Sequence, residues 1–243
     1  MNKGLIFDIG FHVGQDTDFY LKKGFWVVAV DANPQLIAEG KKRFADAIEA
    51  GRLLLLNVGI GKAEGVLPFY VNEQLSEWSS FDEQIGTTRG PYHIIEVPVV
   101  TLRSIVEKYG VPYYIKIDIE GHDMMAIQSL RDMEDKPKYI SVENGQAHMI
   151  EELFSQSYRK FKFVNQAIIQ EITLMSPAKE GTFIEYRFPF GASGPFGEEA
   201  EGLWLDKDEV LDLSHAYWSN PKRDANIHGW FDLHAKYVDG VYL

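Results

Sequence analysis

The chain has 243 residues, with 24 Lys and Arg against 36 Asp and Glu, a formal net charge of −12. At about 100–200 residues per domain this is one large domain or one domain with an appendage, and a hydrophobic share of 45% with 25% charged residues excludes a mainly disordered chain. The absence of cysteine removes disulfides, thiolate metal sites and a cysteine nucleophile, while the acidic balance argues against a nucleic-acid partner, which needs clustered Lys and Arg.

No run approaches the ~18 apolar residues that cross a bilayer. Residues 1–10 are interrupted by Asp8 and Gly10 too early for a signal peptide. The expectation is a cytoplasmic protein with no membrane partner, and the missing cysteines fit a reducing compartment. A homo-oligomer stays open.

In chain order, residues 4–8 form an apolar run, and residues 15–23 carry helical spacing closed by Gly24. Residues 26–30 are a β-branched run of the kind buried in parallel sheets, ending at Asp31. Pro34 then starts a helix whose apolar positions run through Leu36, Ile37, Phe44, Ala47 and Ile48. Strands follow at 53–57 and 113–117, a helix from 121 to about 130, and a strand at 139–142. Such alternation implies parallel strands with right-handed crossovers, hence a doubly wound α/β sheet. Residues 61–98 are too long for a simple connection; 66–71 reads as a strand and 77–82 as a structured loop. Beyond Glu143 come a helix near 148–157 and strands at 161–166 and 182–188. The expected organisation is a domain over 1–189 with an insertion at 61–98, then a C-terminal extension over 190–243 that covers the acceptor site. That extension holds ten acids and four bases, half of the acidic excess.

The segment Asp8-Ile9-Gly10-Phe11-His12-Val13-Gly14 closes the first strand. Its glycines lack the G-x-G-x-x-G spacing that draws a backbone against a pyrophosphate. A carboxylate two residues before Gly10 would repel a pyrophosphate and suit a ligand bearing an ammonium or a sulfonium. S-adenosylmethionine bears both. Asp31, 21 residues after Gly10, is placed to accept both hydroxyls of a ribose, although Asp31-Ala32-Asn33-Pro34 also fits a turn before a Pro-initiated helix. Asn57-Val58-Gly59 closes the third strand, where an adenine would be sandwiched.

These residues resemble the FkbM-type S-adenosylmethionine-dependent methyltransferases. The resemblance runs through Gly14-Gln15-Asp16, Val28-Ala29-Val30-Asp31-Ala32-Asn33-Pro34, Asn57-Val58-Gly59 and Ser79-Ser80. It continues through residues 99–106, Ile115-Lys116-Ile117-Asp118-Ile119-Glu120-Gly121 and Ile140-Ser141-Val142-Glu143, in the family's order. It implies a Rossmann-like, seven-stranded class I methyltransferase sheet with its last strand antiparallel, and methyl transfer to a hydroxyl of a sugar, glycan or polyketide-type metabolite. It carries a cofactor role onto Asp8, Gly10, His12, Gly14, Gln15, Asp16, Thr17, Asp31, Ala32, Asn33, Asn57, Val58, Gly59, Ser79, Ser80 and Asp118. Two departures stand out. The first strand begins at the start of the sequence, so cover for the cofactor is expected from 61–98, from 190–243 or from another subunit. His12 occupies a position where many methyltransferases have glycine or asparagine.

Methyl transfer is an in-line displacement, so alignment supplies much of the rate, and an alcohol needs a base or a metal as it attacks. Strand ends in an open α/β sheet face the crevice, which puts Asp118, Glu120, His122, Glu143 and Asn144 near the methyl group, the first four as the catalytic candidates. Glu120 alternatively caps the following helix, where the dipole favours an acid; His122 offers an imidazole, the commonest general base, but also suits a capping position. Lys116 is expected to pair with a carboxylate such as Glu143. Asp118 with Glu143-Asn144 resembles the ligand set of magnesium-dependent O-methyltransferases, so a metal on Asp118, Glu143 and Asn144 is an open alternative. Trp204, His215, Tyr217, Trp218, His228, Trp230, Phe231 and His234 would either stack on sugar rings or form the core of the extension, and residues 194–199 are the expected acceptor contact. Two other readings remain: a non-catalytic S-adenosylmethionine or nucleoside-binding module, and a nicotinamide-dependent oxidoreductase, which Asp8 and the missing glycine fingerprint oppose.

Overall fold

The computed structural model describes residues 1–238; the end of the expected extension, 239–243, lies outside the described residues. Its strands are β1 (Asn2–Ile9), β2 (Trp26–Asp31), β3 (Leu53–Asn57), β4 (Gly59–Ile60), β5 (Gly65–Asn72), β6 (Tyr92–Val100), β7 (Pro112–Ile117), β8 (Tyr139–Glu143), β9 (Tyr158–Asn165) and β10 (Phe231–Tyr237). The helices are α1 (Gln15–Lys22), α2 (Pro34–Arg43), α3 (Ala45–Glu49), α4 (Glu83–Gly86), α5 (Leu102–Tyr109), α6 (Asp123–Gln128), α7 (Ala147–Ser155), α8 (Lys207–Trp218) and α9 (Ala225–His228).

Seven strands form the central sheet in the order β3-β2-β1-β7-β8-β10-β9. β10 runs antiparallel to both of its neighbours, β8 and β9, while the other pairs are parallel. This is the class I methyltransferase arrangement. Its strands are buried on both faces, which is why they read as continuous apolar runs. In β1, Phe7 and Ile9 pack with α5, α6 and α7 on one face, while Ile6 packs with Phe19 and Tyr20 of α1 and Ile37 of α2 on the other.

Two expectations are corrected. Residues 182–188 are not a strand: they form an extended strap over α1, with Tyr186 and Phe188 packed on Phe19 at ring separations of 5.1 and 4.8 Å. Their apolar alternation is satisfied by side-chain packing, not by a ladder. The seventh strand is β10, from within the expected extension, and it lies inside the sheet. A boundary at 189 and 190 therefore does not separate a complete sheet from an appendage.

The insertion at 61–98 contributes β5 and most of β6, an antiparallel hairpin that pairs Gly65 with Val99 and Asn72 with Tyr92. β4 completes this second, three-stranded sheet. A 3-10 turn at Ser76–Trp78 projects from it.

Candidate active site

A cavity of about 690 Å³ opens at the carboxyl ends of β1, β2, β7 and β8, where an open α/β sheet places its ligands. Both expected sources of cover reach it. Phe69, Ser76, Trp78 and Phe81 come from the insertion, and Phe190, Tyr217, Trp230 and Asp232 from the C-terminal part.

Its floor is the turn after β1. Gly10, at φ 96°, is forced by close approach: a Cβ there would stand 1.8 Å from the Asp118 carbonyl oxygen. His12 also has positive φ, 48°, a conformation that glycine or asparagine adopts more cheaply. Its backbone N–H donates to Asp31 Oδ2 at 2.7 Å, and its Nε2 meets Ser76 Oγ at 2.8 Å, joining the floor to the insertion. Of the five non-glycine residues with positive φ among those described, four (His12, Arg89, Glu120 and Asn144) line this cavity. Backbone strain of that kind gathers where a site demands it.

Asp31 closes β2. The Asn33 N–H donates to its Oδ1 at 2.8 Å and the His12 N–H to its Oδ2, so each oxygen keeps a further lone pair. Burial pushes its carboxyl up to about 6, against the pull of those two N–H groups. Ala32, Asn33, Val58, Gly59 and Ser79 continue the wall, and Phe81 packs so tightly on Gly59 that a Cβ there would meet its ring at 2.2 Å.

Gln15 and Asp16 line the cavity on the other side of the turn. Lys116, 4% exposed, donates to the Gly10 carbonyl at 2.9 Å and stands 3.5, 3.6 and 3.4 Å from Asp8, Asp16 and Asp118. The expected pairing with Glu143 is not among its ion pairs. Asp16 also accepts the Ser193 N–H at 2.9 Å, tying the C-terminal part to the floor.

Five expected cofactor residues stand behind this wall, not on it: Asp8, Gly14, Thr17, Asn57 and Ser80. Thr17 donates to Asp8 Oδ2 at 2.6 Å, and burial raises the Asp8 carboxyl despite Lys116. Gly14 is the N-cap of α1. Asn57 donates to the Asp31 and Ala32 carbonyls at 3.0 Å, and Ser80 donates to the Glu120 carbonyl at 2.6 Å. All but Gly14 act through side-chain bonds that shape what the cavity presents.

The catalytic candidates Asp118, Glu120, His122 and Glu143 all line the cavity, as does Asn144. The Asp118, Glu120 and Glu143 carboxylates come within 4.8 Å of one another. Burial, then Asp118 and Asp123, pushes the Glu120 carboxyl up to about 8, and burial with Asp118 and Glu120 raises Glu143 well above its usual range. His122 lies on the Phe81 ring at 5.2 Å and points Nδ1 at the Ile60 carbonyl at 2.9 Å. A carbonyl only accepts, so Nδ1 carries a proton, and in the neutral tautomer this selects, the lone pair lies on Nε2.

Residues 194–199, the expected acceptor contact, do not line the cavity: Phe196 is buried against Tyr114 at a 4.3 Å ring separation, and Glu198 is engaged by Tyr139, Trp204 and Lys236. The neighbouring residues 190–193 line the cavity instead. Of the aromatic and histidine candidates in the C-terminal part, Tyr217 and Trp230 line it, while Trp204, His215, Trp218, His228, Phe231 and His234 do not. His234 is buried in β10 and has no hydrogen-bond partner among the described residues, and burial lowers it to about 3. Sequence reasoning missed Asp232, whose only signal was an acid at the start of an apolar alternation.

The profile of the FkbM methyltransferase domain family matches residues 8–172. The chain belongs to this family. No curated protein matches it. Among solved structures, it is similar to the FkbM methyltransferase of Methylobacillus flagellatus KT at 19% identity and a TM-score of 0.42, over 58% of this chain and 33% of that one. The chain thus spans about a third of that protein's length. It is also similar to an rRNA methylase from Streptococcus thermophilus (9% identity, TM-score 0.42, 98% and 88% covered) and to a Podospora anserina methyltransferase with S-adenosylhomocysteine bound (13%, 0.36, 97% and 72%). As an FkbM-family chain it has a methyltransferase fold, and among the described residues no helix is long and apolar enough to cross a membrane.

Proposed function

We propose that this FkbM-family chain binds S-adenosylmethionine and methylates a hydroxyl oxygen of a small-molecule or glycan acceptor. The observation that carries this reading is one continuous cavity with Asp31 at one strand end and His122, Asp118 and Glu143 at others. The residues present fit the cofactor. Asp31 keeps one lone pair on each oxygen for two ribose hydroxyls. Ala32, Val58, Phe69 and Phe81 offer apolar surface to an adenine, and Asp16 and Asp118 offer carboxylates to an ammonium. A dinucleotide fits less well, because its pyrophosphate would face those same two carboxylates.

When bound, S-adenosylmethionine supplies an electrophilic methyl group and leaves as a neutral thioether. The chain's part is alignment and proton removal. His122 is held flat by Phe81 and fixed at Nδ1 by the Ile60 carbonyl, so its Nε2 is the base that takes the acceptor's proton. Glu143 and Asp118 orient the acceptor and the cofactor's ammonium. Trp230 and Tyr217 give a sugar ring aromatic faces at the cavity mouth.

The test is calorimetry with S-adenosylhomocysteine and with NAD, followed by labelled-methyl turnover on a panel of glycans and hydroxylated metabolites. Binding of S-adenosylhomocysteine and not NAD is expected; a folded protein that binds neither defeats the reading. His122→Ala is expected to cut turnover by about 10²–10⁴-fold while leaving S-adenosylhomocysteine affinity within a few-fold. Binding with no turnover on any acceptor would favour a non-catalytic binding module.

A further inference from the structure

We propose that the acceptor is at least two units long, and that its second unit, a neutral polyhydroxylated ring, sits in a side cavity beside the main one. This side cavity holds about 270 Å³ and lies between the 3-10 turn Gln166–Glu171 and residues 189–192. It shares Gln166, Phe190, Gly191, Ala192, Ala225 and Trp230 with the main cavity. An ordinary ligand site starts near ~300 Å³, so this space is an extension of the main cavity and not a site of its own. The central sheet holds its walls in place. Asn165 ends β9 opposite Phe231 of β10, and its Oδ1 caps the turn through the Ala167 N–H at 3.0 Å. The backbone N–H of Gln166 then donates to the Trp230 carbonyl at 2.7 Å. The facing wall is tied down where the Ser193 N–H donates to Asp16, and the Phe190 and Trp230 rings meet edge to face at 6.2 Å.

The lining decides the chemistry of the occupant. No Asp, Glu, Lys, Arg or His is among the described residues that line the side cavity. A charged unit would therefore lose its water there without gaining a counter-charge. Gln166 is 6% exposed, and its Nε2 is buried with no hydrogen-bond partner among the described residues. A hydrocarbon tail would leave that amide unpaired at a cost. A hydroxyl both donates and accepts, so it satisfies either end of the amide, and the soft terminal torsion of glutamine lets the group turn to meet it. Phe190, with its ring 71% exposed, and Trp230 offer flat apolar faces to the C–H side of a sugar ring. One buried amide and two aromatic faces without charge suit a neutral sugar better than an alkyl chain, a phosphate or a carboxylate.

The place of this ring next to a methylated unit rests on the methyl-transfer reading; its binding does not. The full chain is titrated by ligand-observed NMR, saturated with S-adenosylhomocysteine and again without it. The probes are methyl glycosides of glucose, galactose, mannose, xylose and rhamnose, disaccharides of the same sugars, and hexyl glucoside. At least one disaccharide is expected to bind about tenfold or more tightly than the methyl glycoside of either of its units. Gln166→Leu, which removes the amide, and Ala167→Phe, which fills the side cavity, should each erase that gain. Both should leave methyl glycoside and S-adenosylhomocysteine affinities within about threefold, and circular dichroism melting establishes that each variant is folded. Equal affinity for one unit and two throughout, or no binding of any saccharide, overturns the proposal, as does a gain that survives both variants. Hexyl glucoside gaining as much, and keeping its gain in Gln166→Leu, assigns the space to an apolar tail and overturns it too. Failure to bind S-adenosylhomocysteine defeats the methyl-transfer reading alone, because the saccharide comparison on cofactor-free protein still stands.

Discussion

Lys116 is the one ammonium held among Asp8, Asp16 and Asp118, and its removal leaves buried carboxylates uncompensated. Lys116→Met is expected to cost about 3–5 kcal/mol, read by urea unfolding at neutral pH. Asp31 carries a different prediction. Its alanine variant loses both acceptor oxygens and should weaken S-adenosylhomocysteine by about 1–3 kcal/mol, seen in calorimetry. Its folded-state carboxyl lies near 6, above the ordinary 3.8. The folded state thus holds this proton more tightly than the unfolded one, so this group's contribution to stability is greatest below about 3.8 and declines as pH rises to about 6. Asp31→Asn should flatten part of that decline in melting temperature; Asp16 and Asp123, also raised to about 6, keep the remainder. Asp31, Asp118 and Glu143 were legible in the sequence because each closes an apolar run, and a run's end is where a strand meets the crevice. The partners of Lys116 were not legible, since they come from β1, α1 and the end of β7 and meet only when the sheet forms.

At the scale of elements, the turn after β1 is set by contact. Gly10→Ala would drive a Cβ into the Asp118 carbonyl, so an unfolding cost above about 2 kcal/mol is expected, together with loss of cofactor binding. On the other flank, α8 clasps the loop that follows β8: Ser214 donates to the Gly145 carbonyl at 2.8 Å and Trp218 Nε1 to that of Asn144 at 3.0 Å. Trp218→Phe keeps the ring and loses the donor; amide exchange should quicken around residues 144–146 while the rest of the sheet stays protected. Neither α8 nor the hairpin of β5 and β6 was fully anticipated. The β6 sequence carries His93, Glu96 and Pro98 and breaks the apolar run, and α8 has only Val210 and Ser214 fully buried. Residues 182–188 show the converse error, where a genuine alternation packs against a helix and pairs with no strand.

Across the molecule, the parallel core was legible because strand and helix periods alternate cleanly up to Glu143; the closing strand was not, because more than sixty residues of irregular chain and α8 separate β9 from β10. A chain cut at residue 189 would leave β8 and β9 without the strand between them and should fail to give a cooperative melt, whereas a true appendage could be removed at little cost. The acidic charge also gains a location, since Asp232, one of the C-terminal acids, lies at the cavity and not on a distant surface. The order of assembly has a consequence of its own. β10 emerges during synthesis after both of the strands it is inserted between, and it brings Asp232 into the cavity wall with it. A chain that stops short of β10 therefore has no complete pocket, and ligand binding doubles as a report that this strand has been made and inserted.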